Sequence, residues 1–346
     1  MKTLRYNYVY FNTSYLKYGK TDPNEYNTIC LKDAYDLPGV KVISTPLDHF
    51  PYIIRLMYGL HHLKRSNKFF PLPFKKLWYP FIFKNDFDDS KPICFVVSTN
   101  TLPLDYLYYL KNKYPTCRIV KIHRDLQKIA FELNPDYTES NIKSVFDFRM
   151  SIDQEESEKY GMVFFHEIES KINIAESKKY PLCDVFFAGK AKDRIPKLIE
   201  AYDIFSAAGL KCYFYITNAE PNQMQLRDGV VYSNKLMSYI DMLGCSMNSK
   251  CLLDINQEGA LGFTSRFLEA VIYNKLLVTD NPSVLNSKYY NSDYIQYVDN
   301  VADIDPDFVK NIKRIDFKYE GDFSPVHLIE QIDSELVKRF GAPHNC

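Results

Sequence analysis

The strongest constraint on what this chain can fold into is a repeated alternation. Short runs of Val, Ile, Phe, Tyr and Leu are separated by stretches whose apolar residues recur at helical spacing. In the first half the apolar runs fall at 6–12, 40–44, 93–100, 117–124 and 162–167, with helical patterns at 52–65 and 104–113 between them. In the second half strands are expected at 183–188, 212–217, 229–233, 251–256, 276–280 and 295–298, and helices at 193–208, 235–247, 263–274 and 307–314. Continuous rather than alternating apolar runs mark strands buried on both faces, and strand–helix–strand repetition then demands parallel sheets covered by helices. The pattern predicts an α/β protein of two Rossmann-like domains, residues 1–170 and 171–322, with a seam near 169–181. A last helix is expected at 327–340, within a tail of residues 323–346, and carries Leu328, Ile329, Ile332, Leu336 and Val337.

At 346 residues the chain is comfortable for two domains, and its net charge of +0 argues against general nucleic-acid binding, which needs a basic excess. The eight cysteines are scattered without a CxxC pair, so a reducing compartment and no structural zinc are expected. The first residues are too charged for a signal peptide, and no window approaches a membrane span. The expected location is the cytoplasm, with the inner face of the cell membrane as the alternative.

The stretch 183–281 carries the chemistry. It begins CDVFFAGKAKDR, an apolar run ending at Gly189 and followed by Lys190, Lys192 and Arg194. It closes as strand, Gly-containing turn, helix and strand, with Gly262, Phe263, Thr264 and Ser265 at the turn. Small residues feeding a helix N-terminus offer unbonded backbone N–H groups and the positive end of a dipole, which suits a diphosphate. Arg194 or Arg266 would neutralise phosphate charge, and Glu269 would accept hydrogen bonds from a ribose. Plainer readings stand beside these: Gly262 permitting a tight turn, and Arg266 with Glu269 forming a surface salt bridge.

These residues together resemble the C-terminal domains of bacterial glycosyltransferases of the GT-B fold, of the capsular and exopolysaccharide type. The resemblance rests on Asp184, Phe186, Phe187, Gly189, Lys192 and Arg194, then Leu253, Asp254 and Ile255, then Gly262, Thr264, Arg266, Glu269 and Ala270, and finally Lys275, Leu276, Thr279 and Asn281. It implies a nucleotide-sugar donor, a UDP-sugar first, held mainly by the second domain, with a glycan or lipid-linked glycan acceptor on the first. It further implies that the two Rossmann-like domains face a cleft, that the last helix crosses back onto the N-terminal domain, and that neither a metal nor a cofactor is used. One departure bears on mechanism. Many retaining members carry two glutamates separated by seven residues, and the position of the first is Leu261 here, while Glu258 and Glu269 are separated by ten. That departure favours an inverting enzyme, in which a general base deprotonates the acceptor.

The base is expected from the first domain. His123 and Asp125 close the strand CRIVKI and rank above Asp48 and His49. A histidine at a strand end is equally a hydrogen-bonded structural residue. His166 also ends a strand near the seam, His61 and His62 lack metal-ligand spacing, and Asp86, Asp88 and Asp89 suit a solvated loop better than a metal site. A second unusual stretch, 64–84, holds six cations, seven aromatics including the only Trp, and no acid. With Lys75, Lys76 and Trp78 as its expected contacts, it fits an anionic membrane surface or an acceptor, or else a buried loop with snorkelling lysines. The competing functional readings are a sugar-nucleotide epimerase of the same architecture and a non-catalytic sugar-binding protein.

Overall fold

The computed structural model describes residues 3–12, 26–43, 50–61, 73–87, 91–98, 102–124, 126–133, 136–174, 179–257, 262–311 and 314–343. The chain divides into two compact units. Unit 1 gathers Cys30–Ile168 and Ser324–Cys346 with the N-terminal segment, and unit 2 gathers Glu169–Phe323 with Asn24–Ile29.

Unit 1 is a six-stranded parallel sheet of β1 (Asn7–Phe11), β2 (Val40–Ile43), β3 (Ile93–Val97), β4 (Arg118–His123), β5 (Phe148–Ser151) and β6 (Val163–Phe164). Its spatial order is β2-β1-β3-β4-β5-β6. Every residue of β1 and of β3 is buried, as continuous apolar strands between two helical layers should be. Phe11, Phe95, Tyr106 and Tyr79 stack and tilt against one another in this core. Strand β5 was not expected from the sequence, because its four residues include Arg149. That guanidinium is nevertheless buried, donating to Gln127 Oε1 at 2.7 Å and to both carboxylate oxygens of Glu139 at 2.9 and 3.1 Å. A charge enters a sheet interior only with such partners.

The C-terminal helix, Pro325–Phe340, belongs to unit 1 as expected, and begins two residues earlier than its apolar pattern suggests. Ser324 caps it by accepting from Val326 N, and Pro325 at the first helical position forfeits no needed donor. Leu328, Ile329, Ile332 and Leu336 are buried. Asp333 accepts from Tyr8 Oη and Arg5 N, each at 2.8 Å, tying the chain's last helix to its first strand.

Unit 2 repeats the architecture with β7 (Cys183–Lys190), β8 (Cys212–Thr217), β9 (Val230–Ser233), β10 (Ser249–Asp254), β11 (Leu276–Thr279) and β12 (Ile295–Tyr297). All six expected strands are present. The order β12-β11-β10-β7-β8-β9 means that the chain winds outward from β7 in one direction and then from β10 in the other. The topological switch point therefore lies between β7 and β10. Helices diverge there on opposite faces, and the carboxyl ends of those two strands are where an open parallel sheet leaves room for a ligand. The seven described cysteines are free and buried, and burial raises the thiol of Cys245 to about 11 and those of Cys117, Cys183 and Cys212 to about 12. No helix among the described residues is long and apolar enough to cross a membrane.

Candidate functional site

The switch point of unit 2 collects the residues singled out between 183 and 281. Gly189 is next to last in β7, where space is tight: a Cβ there would lie 3.0 Å from Arg194 Nη2 and 3.1 Å from the Phe187 ring. Its contribution is room for the arginine rather than a contact to a ligand. Arg194 sits at the N-cap of the helix Ile195–Ala207 and spans the switch point, donating from Nη1 to Ile255 O and from Nη2 to Lys190 O, both at 2.7 Å. The guanidinium lies 5.4 Å from the Phe187 ring centroid. Carbonyl partners leave its full positive charge in place, so the arginine clamps the two strand ends and still contributes field to the space outside them. Lys192 adopts a left-handed backbone, φ 46°, and its exposed ammonium reaches the Gln257 side chain beyond β10.

The loop after β10 leads into the helix Ser265–Tyr273. Gly262 has φ +79°, a conformation that costs glycine nothing, and its carbonyl accepts from Asn281 Nδ2 at 2.9 Å. Thr264 is the N-cap. Its Oγ1 accepts from Phe267 N at 3.2 Å and donates to Asp254 Oδ2 at 2.9 Å. The hydroxyl expected to meet a phosphate is therefore committed to holding the turn. Ser265 and Arg266 open the helix, and their amides, lying in its first turn, have no intrahelical carbonyl to bond. Phe263 packs on Phe267 with ring centroids 4.5 Å apart.

Asp254, the last residue of β10, also accepts from Thr279 Oγ1 at 3.0 Å, so one carboxylate joins two strand ends to the helix cap. Burial raises it to about 6, against the lowering effect of the two hydroxyl donors and Arg266. Alongside, Asp280 accepts from Asn256 N at 2.7 Å and from Lys197 Nζ at 2.9 Å. Asn281 is fully buried, with Oδ1 accepting from Ser283 N. Asp254, Thr279 and Asn281 matched the sequence resemblance without being assigned roles. Their spacing from 262–265 gives no hint of contact, since only strand pairing of β10 with β11 brings them to the turn.

Arg266 and Glu269 form a buried pair, not a surface salt bridge, with Glu269 0% exposed. Glu269 also accepts from Ser246 Oγ at 3.0 Å and from Tyr239 Oη at 3.4 Å. With its oxygens sealed among these donors, the carboxylate anchors Arg266 and is closed to a ribose in this arrangement. Arg266 in turn donates to Ala188 O at 3.4 Å and touches Met242 Sδ. Neither Tyr239, Ser246 nor Met242 was legible as part of this network, because all three lie on a separate helix, Tyr239–Met247.

In unit 1, His123 ends β4 and is 1% exposed, with neither ring nitrogen hydrogen-bonded among the described residues. Burial, and after it the positive charges of Lys121 and Arg149, push the imidazole down to about 2. A base works best with a pKa near the working pH, so His123 in this setting is a weak proton acceptor. The switch point of unit 1 falls between β1 and β3, one strand away from His123. Asp125, Asp48, His49, Glu258 and Leu261 lie outside the described residues, as do Asp88, Asp89 and His62. His166 is exposed, its ring 5.0 Å from that of Phe164. No group of metal-binding side chains is found among the described residues.

No family model matches the chain, and no curated protein matches it. Among solved structures it is similar to a UDP-N-acetylglucosamine 2-epimerase from Rickettsia bellii, at 14% identity and TM-score 0.46, with 97% of each chain covered. It is also similar to a sucrose-phosphate synthase from Thermosynechococcus elongatus, at 11% identity and TM-score 0.49, covering 97% of this chain and 100% of that one. A third is a glycosyltransferase from Rickettsia africae, at 12% identity and TM-score 0.44, covering 96% and 99%.

Proposed function

We propose that the switch point of unit 2 holds the diphosphate of a nucleotide-sugar, a UDP-sugar first, and that the chain is a glycosyltransferase. A single observation carries the reading. The capped N-terminus of the helix Ser265–Tyr273, with Arg266 in its own first turn, presents its first-turn amides at the strand ends that Lys192 and Arg194 also reach. Unbonded amides and fixed cations favour a dianion before it binds and favour it more as a departing diphosphate gains charge.

In this reading the C1–O bond to the diphosphate breaks, and that oxygen keeps the electron pair. The acceptor hydroxyl forms the new C1–O bond, and its proton passes to a base. Asp125 is the proposed base, since buried His123 is ill suited to the task. The acceptor is a carbohydrate, lipid-linked in polysaccharide assembly, which follows from the sequence resemblance of 183–281. Glu269 acts behind the site by fixing Arg266.

Calorimetric titration of the full chain with UDP, GDP, CMP and dTDP tests the donor site. At least one nucleotide should bind, and Lys192→Ala should weaken it by about tenfold, the equivalent of one charge-assisted hydrogen bond. Absence of binding by all four would overturn the assignment. Incubation with the bound UDP-sugar then separates transfer from epimerisation. Release of UDP only with a glycan acceptor supports transfer, whereas inversion of a sugar centre without acceptor would make the protein an epimerase.

A further inference from the structure

The helix Tyr52–His61 is turned inside out. Tyr52, Ile53, Leu56, Met57 and Leu60 form one stripe at helical spacing, and all five are exposed, Tyr52 by 77% and Ile53 by 67%. The only buried residue of the helix is Tyr58. The helix is docked by its back. Tyr58 meets the Trp78 ring edge-on at 5.4 Å, and Trp78 Nε1 donates to His61 Nδ1 at 2.9 Å. His61 Nε2 then donates to Pro73 O at 2.6 Å, which fixes the ring tautomer. The indole thus staples the helix to the segment 73–84.

That segment continues the same surface. Phe74, Leu77 and Phe81 are exposed, while Tyr79, Ile82 and Phe83 point into the core. Residues 73–84, the described part of the stretch 64–84, are therefore divided between exposed and buried side chains, residue by residue. Lys76 keeps three-quarters of its side chain in solvent beside Asp105 at 3.9 Å, and Lys84 is exposed. From Tyr52 to Lys84 the sequence has seven Lys and Arg residues and no Asp or Glu.

Large exposed apolar side chains need a partner, and their chemistry restricts which one. A stripe of long aliphatic and aromatic side chains bordered by cations, with no acid of its own from Tyr52 to Lys84 and Asp105 beside Lys76, matches the boundary between acyl chains and anionic headgroups. A second copy of the chain would bring like charges together across a shared axis. We propose that the helix Tyr52–His61 and the segment 73–84 dock unit 1 onto an anionic lipid surface, with Tyr52, Ile53, Leu56 and Phe74 entering the acyl boundary and Lys75, Lys76 and Lys84 meeting the headgroups. The surface is independent of the nucleotide site, so either proposal stands or falls without the other.

The test is co-sedimentation of the full chain with vesicles of phosphatidylcholine alone or mixed with phosphatidylglycerol. Salt-sensitive binding to the mixed vesicles is expected. The double variants Leu56→Ser, Met57→Ser and Lys75→Glu, Lys76→Glu should each weaken it by about tenfold or more. Both should keep the parent melting temperature, because the substituted side chains are not part of the core. Failure to bind mixed vesicles, or binding unchanged by the apolar pair, would overturn the proposal. So would a concentration-dependent dimer, seen by sedimentation velocity, that the apolar pair abolishes while vesicle binding is absent.

Discussion

Two helices of nearly equal length carry apolar stripes and meet opposite fates. In Ser265–Tyr273 every residue from Arg266 to Ile272 is buried, whereas in Tyr52–His61 only Tyr58 is. The first is the crossover between adjacent parallel strands, β10 and β11, so its axis is laid across the sheet and its stripe lands on Phe186, Leu252 and Leu277. The second is held through Trp78, from the side opposite its stripe. A helical period defines a stripe, and only the connection that places the helix decides whether the stripe becomes core.

The sharpest way to break this comparison is to remove a partner from the buried helix. Glu269→Ala leaves the Arg266 guanidinium enclosed without its carboxylate, and a loss of about 3–5 kcal/mol is expected in chemical denaturation. A loss under about 1 kcal/mol would mean that the pair is hydrated and the helix less enclosed than described. Next in size is the pH dependence of Asp254. Because the folded protein holds this proton more tightly than the unfolded chain, the contribution to stability grows as pH falls through about 6 and levels off near 3.8. The gain should reach about 3 kcal/mol and should be missing from Asp254→Asn when the two proteins are denatured in parallel across that range. Parallel curves would show that the carboxylate is not buried. Thr264→Ala, which deletes the cap and one donor to Asp254, should cost about 1–2 kcal/mol and lower nucleotide affinity through the loosened turn. Smallest is the exposed helix, where Leu56→Ser or Met57→Ser should change stability by about 0.5 kcal/mol or less. A larger loss at either position would place the stripe in a packed interface within the monomer.

The turn and strands of unit 2 were legible because their signals are local. Gly262 needs a positive φ, Thr264 precedes a helix, and the runs flanking them are short and continuously apolar, so turn, cap and strands each announce themselves within a few residues. The roles inside the site were less legible. Glu269, Thr264 and Gly189 look like ligand contacts from spacing alone, yet each turns inward to serve Arg266, Asp254 or Arg194. Whether a polar side chain faces a ligand or a neighbour depends on what the opposite strand or helix supplies. Strand β5 was hidden for a related reason: Arg149 reads as exposed until Gln127 and Glu139 are seen beside it.

By itself the sequence determined the alternation of strands and helices, hence two parallel sheets, and the place in the chain where a glycine turn feeds a capped helix. Those features follow from backbone preferences and hydrophobic period, which act over a few residues. The tertiary structure decided which strands are neighbours, and so that β7 and β10 bring Arg194 and Thr264 to one switch point. It also decided which charges are buried against partners and which apolar stripe is left to water. Those outcomes depend on contacts between residues far apart in the chain, and a one-dimensional pattern contains the demand for a partner without saying which residue meets it.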